Sequence, residues 1–192
     1  MLHFLVALSA FASPIGCILY VRSMLRGKAK PNRVTWFLWA LAPLIAFSAS
    51  VSQGATWSTL SIFMSGFSPL LVFGASFFVK NAYWKVTPLD YFCGFLSLFA
   101  LALWAATQDA FYAVLFAVLA DFLAGVPTFI KAYWHPESEA DSSFIGGLIS
   151  SSFGLLAVQE WHFVEYGFPL YLAVACLAFI VLIRFRGHKL KI

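Results

Sequence analysis

Seven apolar stretches, at roughly 3–22, 34–53, 57–79, 90–107, 110–132, 143–160 and 163–185, alternate along the chain with short polar segments. Each is close to the ~20 residues that a helix needs to cross ~30 Å of hydrocarbon. The stretches are apolar all round, without the narrow stripe of a helix that covers a water-soluble core, which predicts helices embedded in lipid. The pattern therefore predicts an all-α membrane protein with seven transmembrane helices and mostly short connections.

The basic residues orient that topology. With Met1 outside, Arg22, Arg26, Lys28, Lys30 and Arg33 lie around the first gap, Lys80 and Lys85 around the third, Lys131 at the fifth, and Arg184, Arg186, Lys189 and Lys191 at the C-terminus, which accounts for all twelve Lys and Arg. None falls in the second, fourth or sixth gap. Because cytoplasmic segments retain Lys and Arg during insertion, this asymmetry predicts the N-terminus outside and the C-terminus cytoplasmic.

Composition changes the picture only by exclusion. The chain is 62% hydrophobic and 10% charged, and its net charge of +4 is explained by span-flanking residues that face anionic headgroups, so no nucleic-acid partner is expected. Cys17, Cys93 and Cys176 fall inside spans as small apolar residues without metal or disulfide spacing. No cofactor or metal is expected. The first stretch lacks a preceding basic region and a small-residue cleavage site, so it reads as a retained span. Compact loops and the lack of an Asn-x-Ser/Thr acceptor favour the plasma membrane of a bacterium or archaeon. Aromatic residues mark the predicted water boundaries: Trp36, Tyr83, Trp84, Tyr91, Tyr133 and Trp134 at the inner edge, and Trp57, Trp104, Tyr112, Trp161 and Tyr166 at the outer.

An internal repeat is also visible. The starts of the first three spans map onto those of the last three with offsets of 107, 109 and 106 residues. Three helices, one linker helix and three helices put both halves in the same orientation, as parallel 3+1+3 repeats related by an axis along the membrane normal. The predicted units are residues 1–80, a linker at 81–108 containing the fourth helix, and residues 109–192. Pro14 and Tyr20 in the first span are matched by Pro127 and Tyr133 in the fifth, each pair six residues apart and each followed by a polar turn with a second proline, Pro31 or Pro136.

With these features the chain resembles the PQ-loop and SWEET superfamily of small membrane transporters. The resemblance rests on the 3+1+3 layout, the outside N-terminus, the proline in spans one and five, and the inner loop after each. Residues 127–142 look most like a PQ loop, with Glu139 and Ser142 where many members carry Glu and Ser. The resemblance implies transport by alternating access, with Pro14 and Pro127 as hinges. A proline removes one helical hydrogen bond and permits a kink, which suits that role mechanically.

One acid stands within the hydrocarbon. Asp121 is about eleven residues from either end of its span, hence ~16 Å from both surfaces. An ionised side chain there costs ~2.5–3.5 kcal/mol on insertion scales, so Asp121 should be protonated, partnered or facing water. Ala113, Ala117, Asp121, Gly125 and Thr128 recur at helical spacing as a small-residue stripe, while Phe111, Leu115, Phe122 and Phe129 occupy other faces. The stripe predicts that Asp121 faces the bundle, where it would bind a proton or a cationic group on a substrate, or else serve packing by donating to a neighbour. Leu8 takes its place in the first repeat.

Trp39 lies a turn deeper than Trp36 and precedes Pro43, which makes it a candidate cavity residue as well as a packing one. Ser9, Ser13, Ser48, Ser50, Ser65, Ser68 and Ser150 to Ser152 supply hydroxyls that either pack helices or reach a substrate. Asp121, Trp39, Ser13, Ser151 and Thr128 are the candidate substrate contacts. Glu160, His162 and Glu165, in the outer loop before the last span, read as solvated acids beside a histidine rather than as a metal or gating site, and His135, Glu137, Glu139 and Asp141 on the inner side read as a helix start, with Asp141 and Ser142 capping the sixth helix and the acids offsetting the basic inner face.

Other functions fit less well. Every histidine lies at a span end or in a loop and Asp121 has no acidic partner within the membrane, which argues against an intramembrane protease. No phosphate-binding glycine loop or metal pattern occurs. The expectation is a transporter of a small polar solute, proton-coupled through Asp121, in contact with the lipid bilayer. A non-transporting receptor or assembly protein of the same fold is the alternative, and a homo-oligomer is compatible with either.

Overall fold

The computed structural model describes residues 2–52, 60–79, 83–107, 109–158 and 160–189. Among the described residues seven α-helices follow one another: α1 (Leu2–Leu25), α2 (Arg33–Ser52), α3 (Leu60–Ala75), α4 (Pro88–Ala106), α5 (Ala110–Trp134), α6 (Ser142–Leu156) and α7 (Phe163–Lys189). A single 3-10 turn, Pro136–Ser138, joins α5 to α6, and no strand occurs among the described residues. Trp57, Lys80, Asn81 and Lys191, and the side chains of Ser9, Ser48 and Ser50, lie outside what is described.

Local chemistry sets the helix ends. Asp109 caps α5 by accepting from the Phe111 and Tyr112 N–H groups at 2.8 and 3.3 Å. At α4 the Asp90 carboxylate reaches back to the Thr87 N–H and hydroxyl, both at 2.5 Å, a reciprocal cap on a helix that begins with proline. Asn32 accepts from the Val34 N–H at 3.1 Å to start α2, and its amide also donates to Asp90, tying α2 to α4. The chain leaves α1 through Gly27, whose φ of 72° lies in the left-handed region that glycine enters without strain.

Six helices form a ring. α3 packs against both α1 and α2, α7 packs against both α5 and α6, and the two groups meet where α1 packs on α6 and α2 on α5. Taken round, the order α1, α3, α2, α5, α7, α6 closes on itself. α4 lies outside this ring against α5 and α2, where the Ser97 hydroxyl donates to the Ala120 carbonyl at 2.7 Å. A proline sits inside five of the six ring helices, at Pro14, Pro43, Pro69, Pro127 and Pro169.

The outside is apolar. Phe92, Phe95 and Phe99 on α4 are more than half exposed, as are Phe122 on α5 and Val174 on α7. Pro88–Ala106, Phe111–Trp134 and Phe163–Phe185 are each long and apolar enough to cross a membrane. An apolar surface of this extent faces lipid or protein rather than water. Tyr91, Trp134 and Trp161 are exposed near helix ends, as boundary aromatics should be, but Trp36 is 2% exposed. It is a core residue, its ring 4.8 Å from that of Tyr20 and 5.4 Å from that of Trp39. The two matched tyrosines also part company: Tyr20 is fully buried, whereas Tyr133 is 40% exposed.

Candidate functional site

All six ring helices contribute to a central cavity of about 880 Å³, and α4 contributes nothing to it. Three helices converge on Asp121. Its carboxylate accepts from the Tyr171 hydroxyl of α7 at 2.9 Å, and its main-chain carbonyl accepts from the Trp39 indole N–H of α2 at 3.2 Å. Gly125, one turn further along α5, makes room for that indole: a Cβ there would lie 3.3 Å from Trp39 Cζ2. The small-residue stripe of α5 thus accepts a large ring from α2 and leaves the Asp121 carboxylate at the cavity wall.

Ser13 and Ser151 also line the cavity, together with Ser65, Ser143 and Ser150. Ser151 donates to the Gly147 carbonyl one turn back at 2.8 Å. The buried Ser143 hydroxyl makes no hydrogen bond. Thr128 is placed elsewhere: fully buried between α5 and α2, it donates to Thr35 Oγ1 at 2.9 Å, and Thr35 donates to the Ala124 carbonyl at 2.8 Å. Neither Pro14 nor Pro127 lines the cavity, while Pro43, Pro69 and Pro169 do.

The cavity is closed at the end that carries the α1–α2 and α5–α6 connections. An aromatic layer comes first, with Phe144 and Phe179 stacked at 4.3 Å and the Trp39 ring edge-on to each at 6.2 and 6.1 Å. A polar layer lies beyond it. Glu139 forms a buried ion pair with Lys131 and accepts from the Tyr20 hydroxyl at 2.7 Å, the two charged side chains being 0 and 1% exposed. Lys131 also donates to the Lys30 carbonyl at 2.5 Å, and the Lys30 N–H donates to the Ser138 carbonyl at 2.8 Å. α1, the α1–α2 connection, α5 and the turn after α5 are bound together by these contacts. The sequence places Glu139 in a helix start that offsets the basic inner face, and it is the acid buried at this end. His135 and Glu137 are the exposed residues of the group, while the half-buried Asp141 pairs with Arg184 at 2.7 Å and caps α6 without a side-chain hydrogen bond.

The remaining sequence candidates stay apart from the cavity. His162 and Glu160 face each other at 3.2 Å on an exposed surface. No group of three or more His, Cys, Asp or Glu close enough to hold a metal ion occurs among the described residues. The three cysteines are free, and Cys17 and Cys176 line the cavity. Tyr171 is the cavity residue that sequence reading passes over. A tyrosine within an apolar helix is itself a signal, because a buried phenol needs a hydrogen-bond partner.

A chamber of this kind can hold a small solute, and its one charged lining residue has no fixed cation beside it among the described residues. Such a carboxylate is complemented by a proton or by a cation that enters the site. Compared with protein-family models, with curated proteins and with solved structures, the chain matches none of them.

Proposed function

We propose that this chain is a seven-span carrier of the cell membrane that moves a small solute by alternating access, with Asp121 in the central cavity binding a proton or a cationic group of the solute. The observation that carries this reading is the cavity itself: about 880 Å³, ringed by six helices, closed at one end and holding a single carboxylate among the described residues. Typical ligand sites fall within ~300–1,000 Å³.

The helix contacts support the 3+1+3 arrangement. The set α1–α3–α2 is repeated as α5–α7–α6, and the crossings of α1 on α6 and α2 on α5 exchange under a two-fold axis along the membrane normal. In this reading the N-terminus is outside and the closed end is cytoplasmic, since that is where Lys30, Lys131 and Arg184 lie. The two halves rock about the α1–α6 and α2–α5 contacts, with Pro14 and Pro127 supplying compliance within α1 and α5. Opening the inner end requires Tyr20 to leave Glu139 and the Lys30 carbonyl to leave Lys131, and breaking those contacts is the step that exposes Asp121 to the cytoplasm.

The test is uptake by proteoliposomes of labelled sugars, amino acids, amines and vitamins, with and without an inward proton gradient, for the parent chain and Asp121→Asn. Uptake that depends on Asp121 is the expected result. Folded protein that takes up none of them under either condition contradicts the carrier reading and favours a receptor or assembly role.

A further inference from the structure

We infer that the cavity selects an organic monocation, a protonated amine on an apolar or aromatic body, in preference to neutral polyols and to zwitterions. This rests on reading the Asp121 cavity as the substrate site, and it narrows the solute to a chemical class.

Charge comes first. Among the described residues that line the cavity, Asp121 is the one charged group, and no Lys, Arg, His, Asn or Gln accompanies it. A zwitterion would satisfy Asp121 with its ammonium but bring a carboxylate into the same low-dielectric space with no cation to meet it, and an unpaired buried charge is heavily penalised. Lys131, the nearest basic residue of α5, is already committed to Glu139 and the Lys30 carbonyl. A polyol fares no better, since its many hydroxyls need partners and a buried polar group without one is disfavoured. The lining hydroxyls are those of Ser13, Ser65, Ser143, Ser150, Ser151 and Tyr171, and those of Ser151 and Tyr171 are already donated, to the Gly147 carbonyl and to the Asp121 carboxylate.

The walls fit the rest of such a ligand. Trp39, held by its hydrogen bond to the Asp121 main-chain carbonyl and packed on Gly125 one turn further along, adds an indole to the wall of the cavity that holds the carboxylate, and aromatic rings favour an ammonium group. Phe122, Phe129 and Val174 line the cavity, so its wall along α5 and α7 is apolar. An apolar body meets hydrocarbon-like surface throughout, and only its cationic end finds a polar partner.

One aromatic skeleton carrying three head groups separates the possibilities: phenethylamine (cation), 2-phenylethanol (neutral) and phenylalanine (zwitterion), each titrated calorimetrically against the full chain in detergent at neutral pH. The expected result is phenethylamine binding at least ~10-fold tighter than either analogue, a gap of ~1.4 kcal/mol. Asp121→Asn removes that gap, and Tyr171→Phe, which keeps the carboxylate, preserves it. Equal binding of the three, tighter binding of phenylalanine, or no binding by any overturns the inference. The parent series decides by itself, so a substituted chain that fails to fold leaves the answer intact. Charge-selective binding without uptake in proteoliposomes sinks the carrier reading and leaves the cation site standing, while Asp121-dependent uptake of a neutral solute does the reverse.

Discussion

Gly16 of α1 and Gly146 of α6 cross with no room for a side chain on either: a Cβ on Gly16 would lie 2.5 Å from the Ser142 carbonyl oxygen, and one on Gly146 would lie 2.6 Å from that of Ala12. The obstacle in both cases is backbone, which cannot rotate aside as a side chain can. Gly16→Ala and Gly146→Ala are each expected to destabilise the protein by about 1–3 kcal/mol, the range for forced overpacking. Gly74 serves as control, since a Cβ there meets nothing within 4 Å and Gly74→Ala should be neutral or mildly stabilising. Denaturant or thermal unfolding in detergent checks the order, and equal behaviour of the three variants would show that the crossing is not tight.

Lys131 and Glu139 pair within the second half and reach the first through the Lys30 carbonyl and the Tyr20 hydroxyl, and their burial sets the sign of each substitution. Removing one member leaves a buried charge alone, so Glu139→Gln or Lys131→Met is expected to cost ~3–5 kcal/mol. The double substitution should cost less than the two singles together, because neither charge then remains. Tyr20→Phe deletes a hydrogen bond to a charged acceptor and should cost ~1.5–3 kcal/mol. A double-mutant cycle on unfolding free energies measures the coupling, and strictly additive singles would mean that the pair contributes nothing as a pair.

Thr128 separates structure from binding. Its hydroxyl points to Thr35 rather than to the cavity, so Thr128→Val is expected to lower stability by ~1 kcal/mol while leaving phenethylamine affinity unchanged. Loss of affinity at undiminished stability would return Thr128 to the binding site.

The helices are legible in the sequence because each is apolar for most of its length, and where the flanking residues are described the observed ends differ from the expected ones by only a few residues, as at Pro88–Ala106 against 90–107. The direction of Asp121 is legible too, since the small residues four before and four after it mark the packed face. The closed end is not. Glu139 lies among polar residues in a short connection, where an acid ordinarily meets water, and the Tyr20 that buries it is 119 positions away. Trp36 fails for a related reason: a tryptophan near a span end has the profile of an interfacial anchor, and only the approach of α1 makes it core. Pro14 and Pro127 are visible in the sequence, whereas the Gly16–Gly146 crossing depends on which helices meet.

Side-selective thiol labelling tests the central claim most directly. In a chain with Cys17, Cys93 and Cys176 replaced by alanine, Ser13→Cys places one thiol at the cavity wall, and a cationic, membrane-impermeant methanethiosulfonate is offered to either face of oriented sealed vesicles. With the Lys131–Glu139 closure intact, the thiol should react from the face opposite the α1–α2 and α5–α6 connections. Adding Glu139→Gln should open reaction from the face that carries them. Labelling from one face alone, or from neither, in both backgrounds would contradict a cavity that opens alternately to the two sides.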